Sequence, residues 1–338
     1  MLRLIKYLFF IFVISPFTSV WALQSDWSNG TESQVRLISP ITHNNGSDNI
    51  YVGLEYKLQE GWKTYWQSPG DGGFPQEIMW KNSTNIQSLE ISWPTPEQFE
   101  ILSFKSVGYT NHVIFPIQLT LEDFSQPTSV VLDVTYLVCK EICIPGSAHL
   151  ELFIPVGKGF LTSHSYNIEK SLSQLPERNL QISFIQNIDI QAYADEKTVS
   201  FVVKANAKEF FENPKVFLHT GFGLPVIEPI ISLSADAKDL ETTFNFNKKL
   251  INAKAFDAQV VIADNNRSFL FAAPLKVETS SASKYPGPSF IIIIMIALLG
   301  GLILNGMPCV LPVLSIKLLS ILQHIERPSS IRMSFMVT

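Results

Sequence analysis

The chain has 338 residues, 16% of them charged, and a net charge of −5, so it lacks the broad basic footprint of a nucleic-acid binder. A hydrophobic content of 46%, including 24 phenylalanines, excludes a mainly disordered chain. Once two differently biased ends are set aside, some 260 residues remain, enough for about two compact domains.

At the N-terminus, Arg3 and Lys6 precede an apolar run from Tyr7 to Ile14, followed by small and turn-forming residues up to Val20-Trp21-Ala22. A short apolar run behind positive charge reads as a secretory signal peptide over residues 1–22, with an uncleaved anchor as the alternative. Either reading places the middle of the protein outside the cytoplasm. From about Gln34 to Val156, short apolar runs alternate with turn signals, as in Ile50 to Leu58, Val113 to Leu121 and Val130 to Val138. Period-two alternation of β-branched and aromatic residues predicts an antiparallel β-sandwich over residues 23–157.

A helical connector from Tyr166 to Leu175, ending before Pro176, leads into a second β series over residues 158–278. Its strands are expected at Gln181–Phe184, Thr198–Lys204, Lys215–His219, Thr242–Phe246, Ala258–Ile262 and Ser268–Phe271. No sequence repeat relates the two series. Residues 279–288 are small, polar and Pro/Gly-bearing, as in a linker. Beyond them Phe290 to Leu304 is apolar, Asn305-Gly306-Met307-Pro308-Cys309 interrupts, and Val310 to Leu322 resumes. The two halves together are long enough for one transmembrane segment within residues 289–338. Lys317, Arg327 and Arg332 place its far side in the cytoplasm by the positive-inside rule. The expected fold class is therefore mainly β: two immunoglobulin-like β-sandwich domains followed by a transmembrane helical segment.

There are three cysteines, Cys139, Cys143 and Cys309. On a straight strand Cys139 and Cys143 stand about 13 Å apart. A hairpin with a three-residue loop would bring them to about 5 Å, and one helical turn would also bring them close. A disulfide closing so short a loop contributes only about 2 kcal/mol to stability. Spacing alone leaves three readings open: a reversible redox pair, a structural clip, or a soft Cu(I) site completed by His149. Around Cys309, Pro308 and Pro312 each remove a helical donor and Gly306 weakens the same turn, so a broken backbone is expected to line a cavity there. The plainer alternative is a kinked helix with an inert thiol. Sequons, among them those beginning at Asn29, Asn45 and Asn82, would matter only in a eukaryotic secretory pathway.

The run Gly300 to Lys317, with Asn305-Gly306-Met307-Pro308-Cys309-Val310-Leu311-Pro312 at its centre, resembles the first membrane segment of the transmembrane thiol:disulfide interchange proteins, the DsbD/ScsB family. Gly61-Trp62-Lys63-Thr64-Tyr65-Trp66 and Leu137 to Pro145 resemble that family's exported N-terminal region, especially the ScsB-like branch. The resemblance implies a protein-disulfide reductase that needs no metal or other cofactor in this portion. Its partners would be a thioredoxin-like domain or protein as electron donor, the inner membrane, and periplasmic thiol/disulfide proteins as acceptors. It further implies that Cys139 and Cys143 are the exported redox pair, with Cys143 attacking and Cys139 resolving, and that Cys309 is the first membrane cysteine. The family's cap loop maps onto Ser68 to Pro75, making Phe74 a candidate lid and Asp71 a candidate proton partner; an ordinary surface turn is the alternative. The second membrane cysteine, the remaining helices and the thioredoxin-like domain of the family have no counterpart up to Thr338, so a truncated or split relay is expected.

Overall fold

The computed structural model describes residues 22–279, except 45, 71, 102 and 252, together with 294–295 and 297–300. The signal peptide, Asp71, most of the linker, Cys309 and nearly all of the expected membrane segment lie outside the described residues. Residues 294–295 and 297–300 are helical, and among the described residues no helix is long and apolar enough to cross a membrane.

The chain is mainly β. Its first eleven strands are β1 (Leu23–Gln24), β2 (Ser33–Ser39), β3 (Asn49–Leu58), β4 (Lys63–Gly70), β5 (Glu77–Met79), β6 (Ile86–Ile91), β7 (Glu97–Ile101), β8 (Phe104–Thr110), β9 (His112–Leu121), β10 (Thr128–Cys139) and β11 (Cys143–Ile154). A helix, α1 (Ser165–Ser173), follows. The remaining strands are β12 (Ile185–Ala194), β13 (Thr198–Ala207), β14 (Pro214–His219), β15 (Ile230–Leu233), β16 (Asp239–Asn247), β17 (Ala255–Asp264) and β18 (Arg267–Thr279).

Strands β1 to β11 form two sheets, ordered β1-β2-β3-β9-β6 and β11-β10-β4-β8-β7, with β5 also paired to β10. The alternation read in β3, β9 and β10 is what closes them on each other. Val52, Leu54 and Tyr56 of β3, Phe115, Ile117 and Leu119 of β9, and Val130, Leu132, Val134 and Tyr136 of β10 share one buried core. Edge-to-face rings link the layers, Tyr56 lying 5.2 Å from Tyr136 and 5.5 Å from Phe115.

Strands β12 to β18 form one seven-stranded sheet, ordered β14-β17-β18-β12-β13-β16-β15. Its two halves meet through β18, which is antiparallel to β17 from Arg267 to Lys276 and then parallel to β12 from Val277 to Thr279. They bury a second core of Phe201, Phe244, Phe246, Val260, Ile262 and Phe269 among others. The connector is helical as expected, but Gln181–Phe184 is not a strand. There the Ser183 hydroxyl accepts from the Ile185 N–H, and Lys208 Nζ donates to the carbonyls of Leu180, Gln181 and Ser183. The strand begins at Ile185, where Ile188, Ile190, Ala192 and Ala194 alternate inward between polar residues. The exposed edge strand β15 carries no alternation at all and was not expected.

Up to Thr279 the described residues pack as one unit. Phe217, Val261 and Ala263 of the seven-stranded sheet join the first core beside Trp66. On the outer face of the five-stranded sheet, Ile168 of α1 packs on Ile38 and Ile114. Nearby, buried Glu55 accepts from Arg36 Nε at 2.6 Å and bonds His112 Nε2 at 2.8 Å. Burial pushes the Glu55 carboxyl up, but its hydrogen bonds to His112 and Arg36 outweigh burial and hold it below its usual value. Glu55→Gln is expected to cost about 2 kcal/mol in denaturant melts at neutral pH. Because the folded value is the lower one, the carboxylate's contribution is present above about pH 4.3 and is lost as the pH falls through the folded value. The gap between variant and parent should therefore close on acidification.

Candidate functional site: a hairpin disulfide under a loop

Strands β10 and β11 pair without a break from Thr128↔Ile154 to Cys139↔Cys143, so the cysteines are the last partners before the turn Lys140-Glu141-Ile142. The Lys140 N–H closes that turn on the Ile142 carbonyl at 3.0 Å. The two sulfurs are bonded, with a Cα–Cα distance of 4.1 Å. This is the hairpin alternative among those that the spacing left open.

Pleating decides where the disulfide sits. Val130, Leu132, Val134, Tyr136 and Val138 point into the core, so Cys139, one residue on, points to the opposite face of its sheet. A register slip of one residue would send the sulfur inward. On that outer face Cys139 lies in a small cluster of its own with Tyr65 and Ile101, flanked by Phe99 and Leu137. Cys139 is wholly buried, whereas Cys143 is exposed. The pair is therefore asymmetric: an approaching thiol meets Cys143 first.

Tyr65 of β4 completes the arrangement. Its hydroxyl donates to Cys139 Sγ at 2.9 Å and to the Gly72 carbonyl at 2.9 Å, and stands 3.9 Å from Cys143 Sγ. One proton is thus shared between a carbonyl and the buried sulfur. Burial pushes the Tyr65 phenol up to about 12, so it stays protonated, and a donor, throughout the neutral range. The loop after β4 closes over this ring. A Cβ on Gly73 would fall 2.4 Å from Tyr65 Cε1, so the backbone approaches the ring as only glycine permits. Gln76 Nε2 then donates to the Tyr65 carbonyl at 3.1 Å while its Oε1 accepts from the Tyr56 hydroxyl at 2.6 Å. Lys63, register partner of Cys139, places its ammonium 5.7 Å from the centre of the Phe99 ring at the rim of the cluster.

Two sequence expectations change here. Phe74 does not cover the disulfide: its side chain is 71% exposed, and the covering atoms are the backbone of Gly72 and Gly73 acting through Tyr65. His149 does not join the cysteines. It lies six positions along β11 from Cys143, about 20 Å at the rise of a strand, and its ring bonds Asp133 at 2.6 Å and Glu151 at 3.0 Å. Among the described residues no cluster of three metal-ligating side chains occurs. Tyr65 itself was not singled out as a site residue. Its period-two relation to Lys63 was legible, but the register that sets Lys63 against Cys139 was not.

Residues 36–155 match the family model described as thiol:disulfide interchange protein DsbD, N-terminal. Among solved structures, the N-terminal periplasmic domain of ScsB from Proteus mirabilis matches with 20% identity and a TM-score of 0.57, over 76% of this chain and 100% of that one. At that identity the likeness is one of fold. The N-terminal domain of Neisseria meningitidis DsbD in the reduced form aligns over 45% of this chain and 97% of its own, with 12% identity and a TM-score of 0.22, too distant to carry weight. No curated protein matches by sequence.

Proposed function

We propose, from the match of residues 36–155 to the DsbD N-terminal family, that the chain is a DsbD/ScsB-like extracytoplasmic protein-disulfide reductase working through Cys139 and Cys143. The observation that carries this reading is the disulfide with one exposed and one buried sulfur, the buried one hydrogen-bonded by Tyr65. A donor thiolate from a thioredoxin-like partner attacks Cys143 Sγ, the Cys139–Cys143 bond breaks, and Cys139 leaves as a thiolate. The donor's second thiol then attacks the mixed disulfide, leaving this pair with two electrons and two protons and the donor oxidised. In the outward half-reaction the Cys143 thiolate attacks a disulfide of an acceptor protein, and Cys139 resolves the intermediate.

Tyr65 assists the reduction of the pair, in which Cys139 is the leaving group. A disulfide sulfur accepts hydrogen bonds weakly and a thiolate strongly, so the shared proton moves toward Cys139 as negative charge develops there. An interaction that strengthens on the way to the transition state lowers the barrier. Lys63 adds positive charge to the rim, which favours the thiolate form. We place residues 23–157 as the exchange domain, residues 158–278 as a second exported domain, and residues 289–338 as the attachment to an inner membrane, with the exported part in the periplasm. Acceptors are periplasmic disulfide proteins, and Cys309 receives electrons from the membrane side.

Redox titration of the full chain in dithiol/disulfide buffers, with alkylation of free thiols and mass spectrometry of the Cys139–Cys143 peptide, tests the reading. A single two-electron transition at a potential that cellular dithiols reach is expected. A bond that stays closed under excess dithiol would leave only the structural clip.

A further inference from the structure

The shield over Cys139 is held from two sides, and one of them is the seven-stranded sheet. Strand β4 pairs with β10 only at Lys63 and Thr64, and its register with β8 breaks between Tyr65↔Gly108 and Gly70↔Ser106. The four residues Trp66 to Pro69 therefore stand opposite Val107 alone, three more than a regular ladder accommodates. Contacts with the seven-stranded sheet and the segment after β14 replace the missing ladder bonds almost residue by residue. The Trp66 ring lies 6.2 Å from Phe217 and 6.1 Å from His219. Gln67 Nε2 donates to Gln259 Oε1 at 3.1 Å, and the Ser68 hydroxyl bonds His219 Nδ1 at 2.7 Å. Gly70, at φ +90°, leaves no room for a side chain, since a Cβ there would fall 2.3 Å from Val226 Cγ2. Three residues further on, Gly73 lies against the Tyr65 ring.

We propose that His219 and Val226 are positioning residues for the exchange site: through Ser68 and Gly70 they hold the loop that keeps Tyr65 on Cys139, and so restrict attack to Cys143. The inference rests on the exchange reading for its biological meaning, but its physical content is the accessibility of one sulfur. Without the clamp the bulge itself has few bonds, and the loop keeps only the Gly70↔Ser106 pairing, the Tyr65 bond to the Gly72 carbonyl and the Gln76 bond to the Tyr65 carbonyl. Local opening of that kind exposes a buried sulfur without unfolding the sheets.

The test uses free thiols, so it does not depend on whether the disulfide cycles. In the full chain carrying Cys143→Ser, the alkylation rate of Cys139 is followed by mass spectrometry of its peptide; Cys143 is followed in the same way in Cys139→Ser. His219→Ala and Val226→Ala, introduced separately, should each speed alkylation of Cys139 roughly fivefold to tenfold and leave Cys143 unchanged. Thr95→Ala is the control. It removes a different contact with the same sheet, the 2.6 Å bond between the Thr95 and Ser268 hydroxyls, and should leave Cys139 at the parent rate. His219→Asn, which keeps a polar atom for Ser68, should recover part of the protection. If His219→Ala does not fold, Val226→Ala carries the test. Unchanged Cys139 reactivity in the clamp variants, or an equal rise in Thr95→Ala, would overturn the proposal. A disulfide that no reductant opens, with the clamp behaving as stated, would instead remove the exchange reading alone.

Discussion

Cys143→Ser is expected to reduce disulfide exchange to background while lowering the thermal transition of the domain by only about 4 to 8 °C. Both halves of the prediction follow from position. Cys143 is the exposed sulfur, so its loss removes the atom that a partner reaches. The bond it makes closes a loop so short that its removal costs only about 2 kcal/mol in chain entropy. The unbroken β10–β11 ladder holds the hairpin without it. Cys139→Ser should behave differently. The exposed thiol still forms a mixed disulfide with an acceptor, but nothing resolves it, so a covalent complex accumulates that non-reducing gels detect and Cys143→Ser does not form. Equal trapping by both variants would show that the two sulfurs are equally reachable. Loss of folding in Cys143→Ser with normal activity per folded molecule would return the pair to a structural role.

Tyr65→Phe is expected to slow reduction of the disulfide by a dithiol about 10- to 100-fold, as loss of one hydrogen bond to a developing charge predicts. Since burial holds the phenol near 12, Tyr65 is neutral on both sides of pH 7. The ratio of parent to variant rates should therefore stay flat from about pH 6 to pH 9 while both rates rise with thiolate formation. A ratio that changed across that range would mean the hydroxyl exchanges its proton with solvent during the reaction. The reduced form should also lose stability in the variant, because the Cys139 thiolate then lacks its donor.

Much of this was legible before any coordinates. Val130 to Val138 announces itself by clean alternation because that strand is buried on one face, whereas Val113 to Ile117 is a continuous apolar run because α1 covers the other face of its sheet. The cysteine pair was legible because a four-residue step fits a three-residue turn. What escaped is what depends on register across distant segments. Tyr65 lies 74 residues from Cys139, and nothing local says that β4 pairs with the end of β10. Phe74 drew attention as the apolar residue in a glycine-rich loop, yet loop backbone packs on Tyr65 and leaves that ring in solvent. Strand β12 was missed because a bulge between Ile185 and Asn187 shifts its period-two pattern by one residue, and β15 because an exposed edge strand needs no pattern. His149 looked available to a soft metal until β11 proved extended, which puts it out of reach.

The end-of-ladder placement of the cysteines has one more consequence. The β10–β11 ladder does not depend on the bond, so opening it should leave the buried thiol within reach of whatever has become attached to its neighbour. Its effective molarity is that of a held intramolecular nucleophile, far above any free thiol in solution. An adduct of a small thiol on Cys143 should therefore be displaced by Cys139, which re-forms the disulfide and releases the small thiol.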